Sequence, residues 1–463
     1  MDKKNTQEEK NSQSSYSEGG IRELLDRLAL RSSVEEEKEA PAKTYDDYKF
    51  WKTQPVPKFD EECEAEGPID PNTDIEKVSK EPYRLLKEFE WTTMNLEDDN
   101  ELREVYELLT ENYVEDSSAM LRFAYSAEFL RWALMCPGYV KDWHVGVRVK
   151  ASNKLVAFIS AVPLVIRLRD KLFEKCAEVN FLCIHKKLRN KRLTPLLIKE
   201  VTRRCHLLDV WQAVYTGGIL LPSPVSVCRY LHRSLNWKKL YEIGFAPLPF
   251  GSSPTKEMAK YHLPSATATP GLRPMEKRDV AQVQSLLSRY LERFELAHFF
   301  TETEVQHSFL GDSEVSKGPV IWSYVAEDPK TKKITDFFSF YSLPSSVLGN
   351  PQYNDIKAAY LYYYASDSYP KDDSKASLDT FVERCKLLIK DSLIIANRLR
   401  FDVFNAVTVM DNNLFLKDLR FGEGDGYLNY YIYNYRCPKV PGGIDSQNNI
   451  DKSRPSGMGF VMI

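Results

Sequence analysis

Two stretches of this chain, separated by about 180 residues, present the same series of predicted elements. The stretch "MNLEDDNELREVYELLTENY" is typical of a short strand followed by an amphipathic helix, and "RPMEKRDVAQVQSLLSRYLERF" repeats that pattern in the second half. Next come "WHVGVRVKASNKLVAFISAVPL" and "VIWSYVAEDPKTKKITDFFSFYSL", each of which predicts two strands joined by a polar turn. The repeat indicates that one structural unit occurs twice.

The parallel between the two halves continues beyond these strands. "AEVNFLCIHKKL" predicts one further strand and has its counterpart in "KAAYLYYYASDS", and each half then continues with a helix and another strand. Because strands and helices alternate, we expect an α/β fold with a mixed sheet. We expect the two copies, residues 41–265 and 266–463, to pack as a pseudo-twofold pair.

Residues 1–40 form a polar and charged tail that precedes the repeat. Such a segment cannot bury enough apolar surface to order itself, so we expect it to be disordered. Its short stretch "IRELLDRLAL" is amphipathic. That stretch is either part of the solvated tail or a helix that forms on a partner.

Charge and cysteine content exclude several classes of protein. The net charge of -3 and the pI near 6.3 argue against general nucleic-acid binding, so any anion site has to be local. The 8 cysteines include no CxxC pair, which is typical of free thiols in a reducing compartment. The sequence has neither a signal-peptide pattern nor a run of about 18 apolar residues. We therefore expect a cytoplasmic protein with no membrane span and no metal site.

The strongest candidate for an anion site is a cationic loop, residues 186–192, which lies between a predicted strand and a predicted helix. The first-turn amides of a helix are unsatisfied and its dipole adds positive potential, so a basic loop at this place can hold phosphates. Pro195 suits the first turn of the helix. The alternative is a solvated basic loop. The matching place in the second half, "ASDSYPKDDSKAS", is acidic and polar, so we expect one phosphate-bearing ligand.

Two other features could carry chemistry. Cys183 and His185 lie two residues apart, hence on one face of a strand, and could form a nucleophile–base pair; we favour the alternative of a buried thiol and an ordinary histidine. The last residues, "SGMGFVMI", are apolar, whereas most chain ends are polar and frayed. Burial of this end would carry the α-carboxylate inward and raise its pKa from about 3.5, which would make it a base. The end could equally be a hydrophobic peg, and the two roles are compatible.

Several of these stretches resemble a known family. The order R-N-K-R-L-T resembles the R/Q-x-x-G-x-G/A signature of the GNAT acetyltransferases, with the glycines replaced. The longer stretches "EVNFLCIHKKLRNKRLTPLLIKEVTRR", "YTGGILLPSPV" and "FGEGDGYLNYYIYNY" closely resemble eukaryotic, and nearest the fungal, N-myristoyltransferases. The resemblance runs from about Tyr45 to the last residue, and it implies two tandem GNAT-like acyltransferase halves, the first binding acyl-CoA and the second binding peptide.

The resemblance implies direct transfer of a myristoyl group from myristoyl-CoA to the amine of an N-terminal glycine, without an acyl-enzyme or a prosthetic group. It assigns the oxyanion hole to the main-chain amides of Phe181 and Leu182, and the base to the carboxylate of Ile463. Asn190 stands where the family commonly has serine. The residues implied to contact acyl-CoA are Lys49, Phe50 and Trp51 at the adenine end, together with Phe181, Leu182, Cys183, Ile184, Arg189, Asn190, Lys191, Arg192, Leu193, Thr194 and Pro195.

The resemblance also implies a peptide groove. It places Thr216 and Asn405 close to the start of the peptide, and Asp425, which lies among glycines, opposite residues further along. Ser117 and Ser118 replace part of an acidic run, so attraction for lysines in the substrate should be weaker. For the aromatic members of the groove, ordinary core packing is the alternative. The other implied groove residues are Tyr113, Glu115, Asp116, Phe123, Tyr125, Tyr230 and His232.

Two other functions stay open on the sequence. One is a different GNAT acyltransferase that uses acetyl-CoA on protein amines, and the other is a catalytically inactive module that binds acyl-CoA or lipid. The long aromatic second half and the apolar terminus favour a long acyl chain and a peptide groove. Thr216, Asn405 and Asp425 argue against an inactive module. The resemblance further implies that the N-terminal tail docks on ribosomes.

Overall fold

The computed structural model describes residues 45–59, 61–114, 120–311, 319–370, 375–453 and 455–463, with Asn190 described by its backbone alone. The chain divides into two compact units, Met1–Lys52 and Thr53–Ile463. In the first unit, the Lys52 amide donates to the Tyr48 carbonyl oxygen over 3.0 Å. The predicted tail at 1–40 lies outside the described residues. The sheet and the site belong to the second unit.

The strands of the second unit were largely anticipated by the period-2 patterns in the sequence. In chain order they are β1 (Phe89–Thr93), β2 (Leu121–Phe123), β3 (His144–Val149), β4 (Leu155–Leu168), β5 (Lys171–Ile184), β6 (Gln212–Gly217), β7 (Ser226–Ser234), β8 (Leu272–Pro274), β9 (Leu296–His298), β10 (Ile321–Glu327), β11 (Ile334–Ser342), β12 (Ser345–Val347), β13 (Asp355–Ile356), β14 (Ala358–Ser366), β15 (Val403–Val407), β16 (Gly422–Tyr433) and β17 (Met458–Gly459).

The helices cover the sheet and fill the connections. Over the described residues the α-helices are α1 (Asp99–Asn112), α2 (Ala127–Leu134), α3 (Leu193–His206), α4 (Trp237–Glu242), α5 (Pro254–Lys260), α6 (Val280–Leu291), α7 (Glu302–Leu310), α8 (Lys375–Arg398) and α9 (Asn412–Phe415). Short 3-10 helices occur at Tyr45–Asp47, Trp51–Thr53, Ile75–Lys77, Lys141–Trp143, Lys186–Lys191 and Lys277–Asp279. None of the helices in the described part of the chain is long and apolar enough to cross a membrane.

In the described part of the chain fourteen strands form one mixed sheet; twelve of them follow one path of neighbouring strands, and β9 and β17 lie off that path. The order is β1-β3-β4-β5-β6-β16-β7-β15-β14-β11-β10-β8. The series β1-β3-β4-β5-β6 from the first half corresponds to β8-β10-β11-β14-β15 from the second half, taken from opposite edges. The predicted α/β fold with two copies of one unit around a mixed sheet is confirmed.

The centre of the sheet contains an exchange of strands between the halves. β16 comes from the second half but pairs with β6, and β7 comes from the first half but pairs with β15. β16 and β7 also pair with each other. Each half therefore completes the sheet of the other, while the boundary between residues 265 and 266 stays a prediction.

Each half contains a place where two parallel strands separate. β5 pairs with β6 only from Cys176 to Glu178, although β5 continues along β4 to Ile184 and β6 continues along β16. We call this place the first split. β14 pairs with β15 only from Ala358 to Tyr360, and then continues along β11 to Ser366. This is the second split. In α/β sheets, ligands bind beyond the carboxyl ends of strands where neighbours diverge.

Local sequence explains the helix that backs the first split. Asp98 caps α1 by accepting from the amides of Asn100 and Glu101. The helix packs against β4 and β5, and its leucines at 102, 108 and 109 are buried. Burial of each such side chain contributes about 1.5–3 kcal/mol, so this face fixes α1 beside β5.

The end of the chain runs through the interior. β17 pairs in parallel with β9, which itself pairs with β4. Phe460, Val461 and Met462 are buried, and the Val461 amide donates to the Tyr363 hydroxyl over 2.9 Å. The apolar chain end is thus held against strands of both halves, as its sequence predicted.

Candidate active site

A β-bulge interrupts β5 just beyond the first split. Asn180 pairs with Ser160 and Cys183 pairs with Phe158, so two residues of β5 oppose one residue of β4. Phe181 has φ of +55°, a left-handed conformation that is unusual for a bulky residue. Its amide donates to Oδ1 of Asn180 over 2.9 Å. The amide is therefore turned away from the ladder and toward a polar side chain, a contact that a developing oxyanion could replace.

Asn180 also holds the chain terminus. Its side-chain Nδ2 donates to the terminal carboxyl oxygen of Ile463, which is half-buried. The same side chain thus contacts the bulge amide with one end and the terminal carboxyl with the other. Two predicted catalytic elements, Phe181 and Ile463, are brought together by a residue that sequence reasoning missed. Its only signal was its place within "VNFLC".

Glu178 is a second residue that sequence reasoning missed. It is half-buried and precedes Asn180 by two positions, so both side chains lie on one face of β5. Burial raises the pKa of Glu178 to about 7, and a hydrogen bond from the Asn180 side chain opposes that shift. The site therefore contains a side-chain carboxyl that titrates near neutral pH.

Cys183 and His185 do not form a nucleophile–base pair in this structure. The Cys183 Sγ faces the Leu108 carbonyl oxygen at 3.7 Å, and burial raises the thiol pKa to about 12. Nδ1 of His185 accepts from the Lys187 amide over 3.3 Å and caps the 3-10 helix. A thiol that stays protonated at neutral pH is a poor nucleophile, which favours the interpretation as a buried thiol.

The cationic loop forms the 3-10 helix that leads into α3. Lys186, Lys187, Arg189, Lys191 and Arg192 are all exposed. Arg192 precedes α3 in a left-handed conformation, with φ of +59°, and its side chain does not cap the helix. The Arg192 side chain therefore does not take up the first-turn amides of α3, the groups that hold an anion at a helix N-terminus.

Arg189 of the cationic loop has a structural partner. Nη2 of Arg189 donates over 2.6 Å to the carbonyl oxygen of Asn112, the last residue of α1. The Lys186 amide donates to Oδ1 of Asn112 over 3.0 Å. Both contacts fix the cationic loop to the end of α1. In the first turn of α3, Leu193 is buried, whereas Thr194 and Pro195 are half-buried, as is Leu182 on β5.

Lys49, Phe50 and Trp51, predicted to hold the adenine end, lie in the first unit. The rings of Phe50 and Trp51 meet edge to face, with centroids 5.3 Å apart. Lys49 is exposed. Their role stays a prediction.

Aromatic side chains surround the bulge. The Tyr125 ring lies 5.1 Å from Phe181, 5.6 Å from Tyr113 and 6.0 Å from Phe123, measured between ring centroids. Tyr113 lies 6.4 Å from Phe181. Burial raises the pKa of both tyrosine hydroxyls well above its ordinary value, so they stay neutral donors. Three predicted groove residues therefore gather at the first split.

A second group of predicted groove residues lies on β7 and β15. Nδ1 of His232 lies 2.7 Å from Oδ1 of Asn405, and burial lowers the histidine pKa, which keeps the ring neutral near pH 7. The His232 ring is parallel to that of Tyr230, 6.4 Å away. The rings of Tyr341 and Tyr360 stack with their centroids 5.3 Å apart, and both hydroxyls help to raise the pKa of Tyr125. Sequence reasoning missed these last two tyrosines, whose only signal was membership of aromatic strands.

Thr216 and Asn405 are not brought together. Thr216 and Ser226 of β7 both pair with the same residue of β16, so they lie at the same height in the sheet. Asn405 pairs instead with His232 of β7. Those two β7 positions are six residues apart, about 20 Å along the strand. Thr216 lies instead just beyond the first split, on the strand that faces the bulge of β5.

Asp425 is presented by a wide bulge in β16. Glu423 pairs with Leu231 and Tyr427 pairs with Arg229, so three residues of β16 oppose one residue of β7. A side chain at Gly424 would place its Cβ 2.4 Å from Nε2 of His232. Glycine is thus required there by close approach, and Asp425 stands exposed beside the His232 ring. Glu115, Asp116, Ser117 and Ser118 lie outside the described residues.

Within the part of the chain that the structure describes, no group of three or more His, Cys, Asp or Glu side chains is arranged to hold a metal ion. All 8 cysteines are free thiols.

Comparison with known proteins places these features in a family. Residues 68–228 match the model of the N-terminal domain of myristoyl-CoA:protein N-myristoyltransferase, and residues 242–461 match the model of its C-terminal domain. The chain is 75% identical over 466 residues to glycylpeptide N-tetradecanoyltransferase of Schizosaccharomyces pombe, with all of both chains covered. The chain belongs to the N-myristoyltransferase family.

More distant members agree with this assignment. The Aspergillus fumigatus glycylpeptide N-tetradecanoyltransferase is 55% identical over 90% of this chain and 84% of its own length. A crystal structure of Saccharomyces cerevisiae N-myristoyltransferase with bound myristoyl-CoA superimposes with a TM-score of 0.87 at 50% identity, covering 90% of this chain and 99% of that chain. The fungal resemblance and the acyltransferase class expected from the sequence are confirmed.

Membership of the N-myristoyltransferase family does not by itself fix the role of each residue. The roles of Ile463, Phe181, Leu182, the cationic loop and the groove aromatics stay predictions. The structure adds Asn180, which connects the terminus to the bulge, and Glu178, which interacts with the Asn180 side chain.

Proposed function

We propose that this chain transfers a myristoyl group from myristoyl-CoA to the α-amine of N-terminal glycine in peptides and proteins, by direct attack of the amine on the thioester. The observation that carries the proposal is the Asn180 side chain, which holds the terminal carboxyl of Ile463 beside the amide of Phe181. A base and an oxyanion donor are the two groups that this reaction needs.

The reaction would run in the following order at this site. The terminal carboxylate of Ile463 takes a proton from the glycine ammonium, and the free amine attacks the thioester carbon. The amides of Phe181 and Leu182 donate to the oxyanion that forms. The carbon–sulfur bond then breaks, the electron pair leaves with sulfur as the coenzyme thiolate, and the nitrogen loses its second proton. The products are the myristoylated peptide and coenzyme A.

The two substrates would approach the bulge from different sides. The exposed cations and the α3 amides would hold the coenzyme phosphates, with Lys191 and Arg192 making charge-assisted contacts. The peptide would lie along the aromatic cluster of Tyr113, Tyr125 and Tyr230. Glycine suits the first position because a side chain there would displace the amine. In this proposal acyl-CoA binds before the peptide.

The test is steady-state myristoyl transfer to a glycine-initiated peptide, comparing the full chain with one that lacks Met462 and Ile463. We expect the truncated chain to bind myristoyl-CoA with unchanged affinity and to lose turnover by about 10²–10⁴-fold, the usual contribution of a general base. Ile463→Leu is the matched control, because it keeps the carboxylate in place. Turnover that persists after truncation would show that the base lies elsewhere.

The same assay separates the other candidate functions. Acetyl-, lauroyl- and myristoyl-CoA are compared as donors with one peptide. Preference for acetyl-CoA would indicate a different acyltransferase, and binding of myristoyl-CoA without transfer would indicate an inactive acyl-CoA module. Association with ribosomes and residence in the cytoplasm stay predictions, and the tail concerned lies outside the described residues.

A further inference from the structure

The first split opens directly beside a carboxyl group. Glu178 and Val214 form the last pair of the β5–β6 ladder. Two residues later, Asn180 contacts the chain terminus. Because residues two apart share a face of a strand, the Glu178 carboxyl lies on the face that receives Ile463.

One side-chain amide faces both carboxyl groups. Asn180 donates to the terminal carboxyl of Ile463, and its side chain also stabilises the charged form of Glu178. The amide nitrogen carries two N–H donors, so it can serve two acceptors at once. The Glu178 carboxyl and the terminal carboxyl therefore share one hydrogen-bonding partner on this face of β5.

The other titratable groups that face Glu178 stay neutral in the working pH range. Burial raises the pKa of the Cys136 and Cys176 thiols to about 12. Burial also raises the pKa of the tyrosine hydroxyls on β11 and β14 above the ordinary value. The thiols and tyrosine hydroxyls that interact electrostatically with Glu178 are those of Cys136, Cys176, Tyr341, Tyr362 and Tyr363. Glu178 is therefore the member of this cluster whose pKa is raised to about 7, and the terminal carboxyl is the other carboxyl group beside Asn180.

The proposed reaction needs a base to accept a proton from the substrate nitrogen more than once. Conversion of a glycine ammonium into an amide removes two protons from one nitrogen. The departing thiolate takes up one of them, and the other is released to solvent. A single carboxylate that keeps the first proton cannot accept the second.

We propose that Glu178 is a second carboxylate of the site, which receives from the chain terminus the proton taken from the ammonium and so restores the terminus for the second removal. This inference rests on the proposed function. Glu178 acts through the terminus and Asn180 and does not touch the substrate. Its role is to return the terminal carboxyl to its charged form, so it is a positioning residue. The second proton passes from the terminus to the coenzyme thiolate, and Glu178 later returns its proton to solvent.

The test is the pH profile of kcat for myristoyl transfer between pH 5.5 and 8.5. In the wild type we expect kcat to fall as pH drops through about 7, because protonated Glu178 cannot accept a further proton. Glu178→Gln keeps the shape and a hydrogen-bonding group but cannot take a proton. In that variant we expect the fall of kcat near pH 7 to disappear from the pH profile. We also expect kcat itself to be lower by about tenfold or more, with unchanged affinity for myristoyl-CoA.

Two further variants distinguish this role from a structural one. Glu178→Asp keeps the carboxyl group and should retain the limb, with kcat between the wild type and Glu178→Gln. Glu174→Gln changes an exposed glutamate on the same strand and should leave kcat and its pH profile unchanged. A Glu178→Gln variant with wild-type kcat and pH limb would overturn the inference. So would equal losses of thermal stability and myristoyl-CoA binding in the Gln and Asp variants. Absence of transfer by the wild type would instead contradict the proposed function.

Discussion

The two splits of the sheet have the same topology but different contents. Beyond the first split, β5 carries a bulge, and the cationic loop that follows presents exposed cations. Beyond the second split, β14 continues as a buried aromatic strand. The chain end contacts β14 through the Tyr363 hydroxyl, and the Met458 carbonyl oxygen accepts from the Met410 amide just after β15. The first split is thus followed by a bulge and exposed cations, whereas the second is followed by buried side chains that contact the protein's own last segment.

The comparison teaches that duplication of a fold does not duplicate its site. Five exposed cations follow β5, whereas the residue after β14 is Asp367, which pairs with Lys333 at 2.8 Å. The second half instead contributes the terminus that completes the first split. Changes beside the second split should therefore affect stability, whereas changes at the first split and in the cationic loop should affect turnover and acyl-CoA affinity.

The largest effect is expected from the buried ion pair of the second half. Arg293 on the α6 side of the fold donates to Asp411, which also accepts from Tyr290. Arg293→Met leaves a buried carboxylate without its cation and should lower the free energy of unfolding by about 3–5 kcal/mol. Urea unfolding measures this. Arg289→Met, an exposed arginine on α6, is the control and should change stability by less than about 0.5 kcal/mol. Equal effects of the two variants would contradict the assignment.

Asn180→Leu is expected to act on turnover rather than on stability. It removes the donor to the terminus and the acceptor of the Phe181 amide. We expect kcat to fall about 100-fold, the size of the loss of one preorganised contact to a reacting group, with the Kd for myristoyl-CoA little changed. Single-turnover transfer and equilibrium binding are the measurements. A variant with normal kcat would show that the terminus keeps its position without Asn180.

The cationic loop should control affinity for the coenzyme. Replacing both Lys191 and Arg192 with glutamine should weaken binding of myristoyl-CoA about tenfold at low salt, since two charge-assisted contacts are lost. The dependence of Kd on salt should also become shallower, because fewer charges take part. Lys333→Gln, in the second half, should leave both quantities unchanged. A loss of affinity that is independent of salt would argue that the loop acts by shape.

The smallest effect is expected at the second split. Tyr363→Phe removes the hydroxyl that accepts from the Val461 amide. We expect the free energy of unfolding to fall by about 1 kcal/mol, the net value of one hydrogen bond, with kcat nearly unchanged. Chemical unfolding and steady-state transfer test this together. A collapse of kcat in a stable variant would mean that the second split also shapes the chemistry.

Local patterns account for much of the fold and for part of the site. The alternating strands, the α1 and α3 helices and the buried apolar end follow from periodicity and composition. The exchange of β7 and β16 was not predictable, because it depends on pairing between residues far apart in sequence. Asn180 and Glu178 were missed for the same reason, since a polar residue on a strand acquires its role only when the terminus arrives beside it.

The exchange of strands also bears on how the molecule is made. β6 is synthesised long before β16, which becomes its neighbour on one side. Until that strand has left the ribosome, the nascent first half has an unpaired edge in the middle of its future sheet, and long-range pairing of this kind slows folding and exposes the chain to aggregation. In the proposed mechanism the carboxylate of Ile463 reaches Asn180 only after β16 has been made, so a chain interrupted before β16 would lack both this central strand and the base.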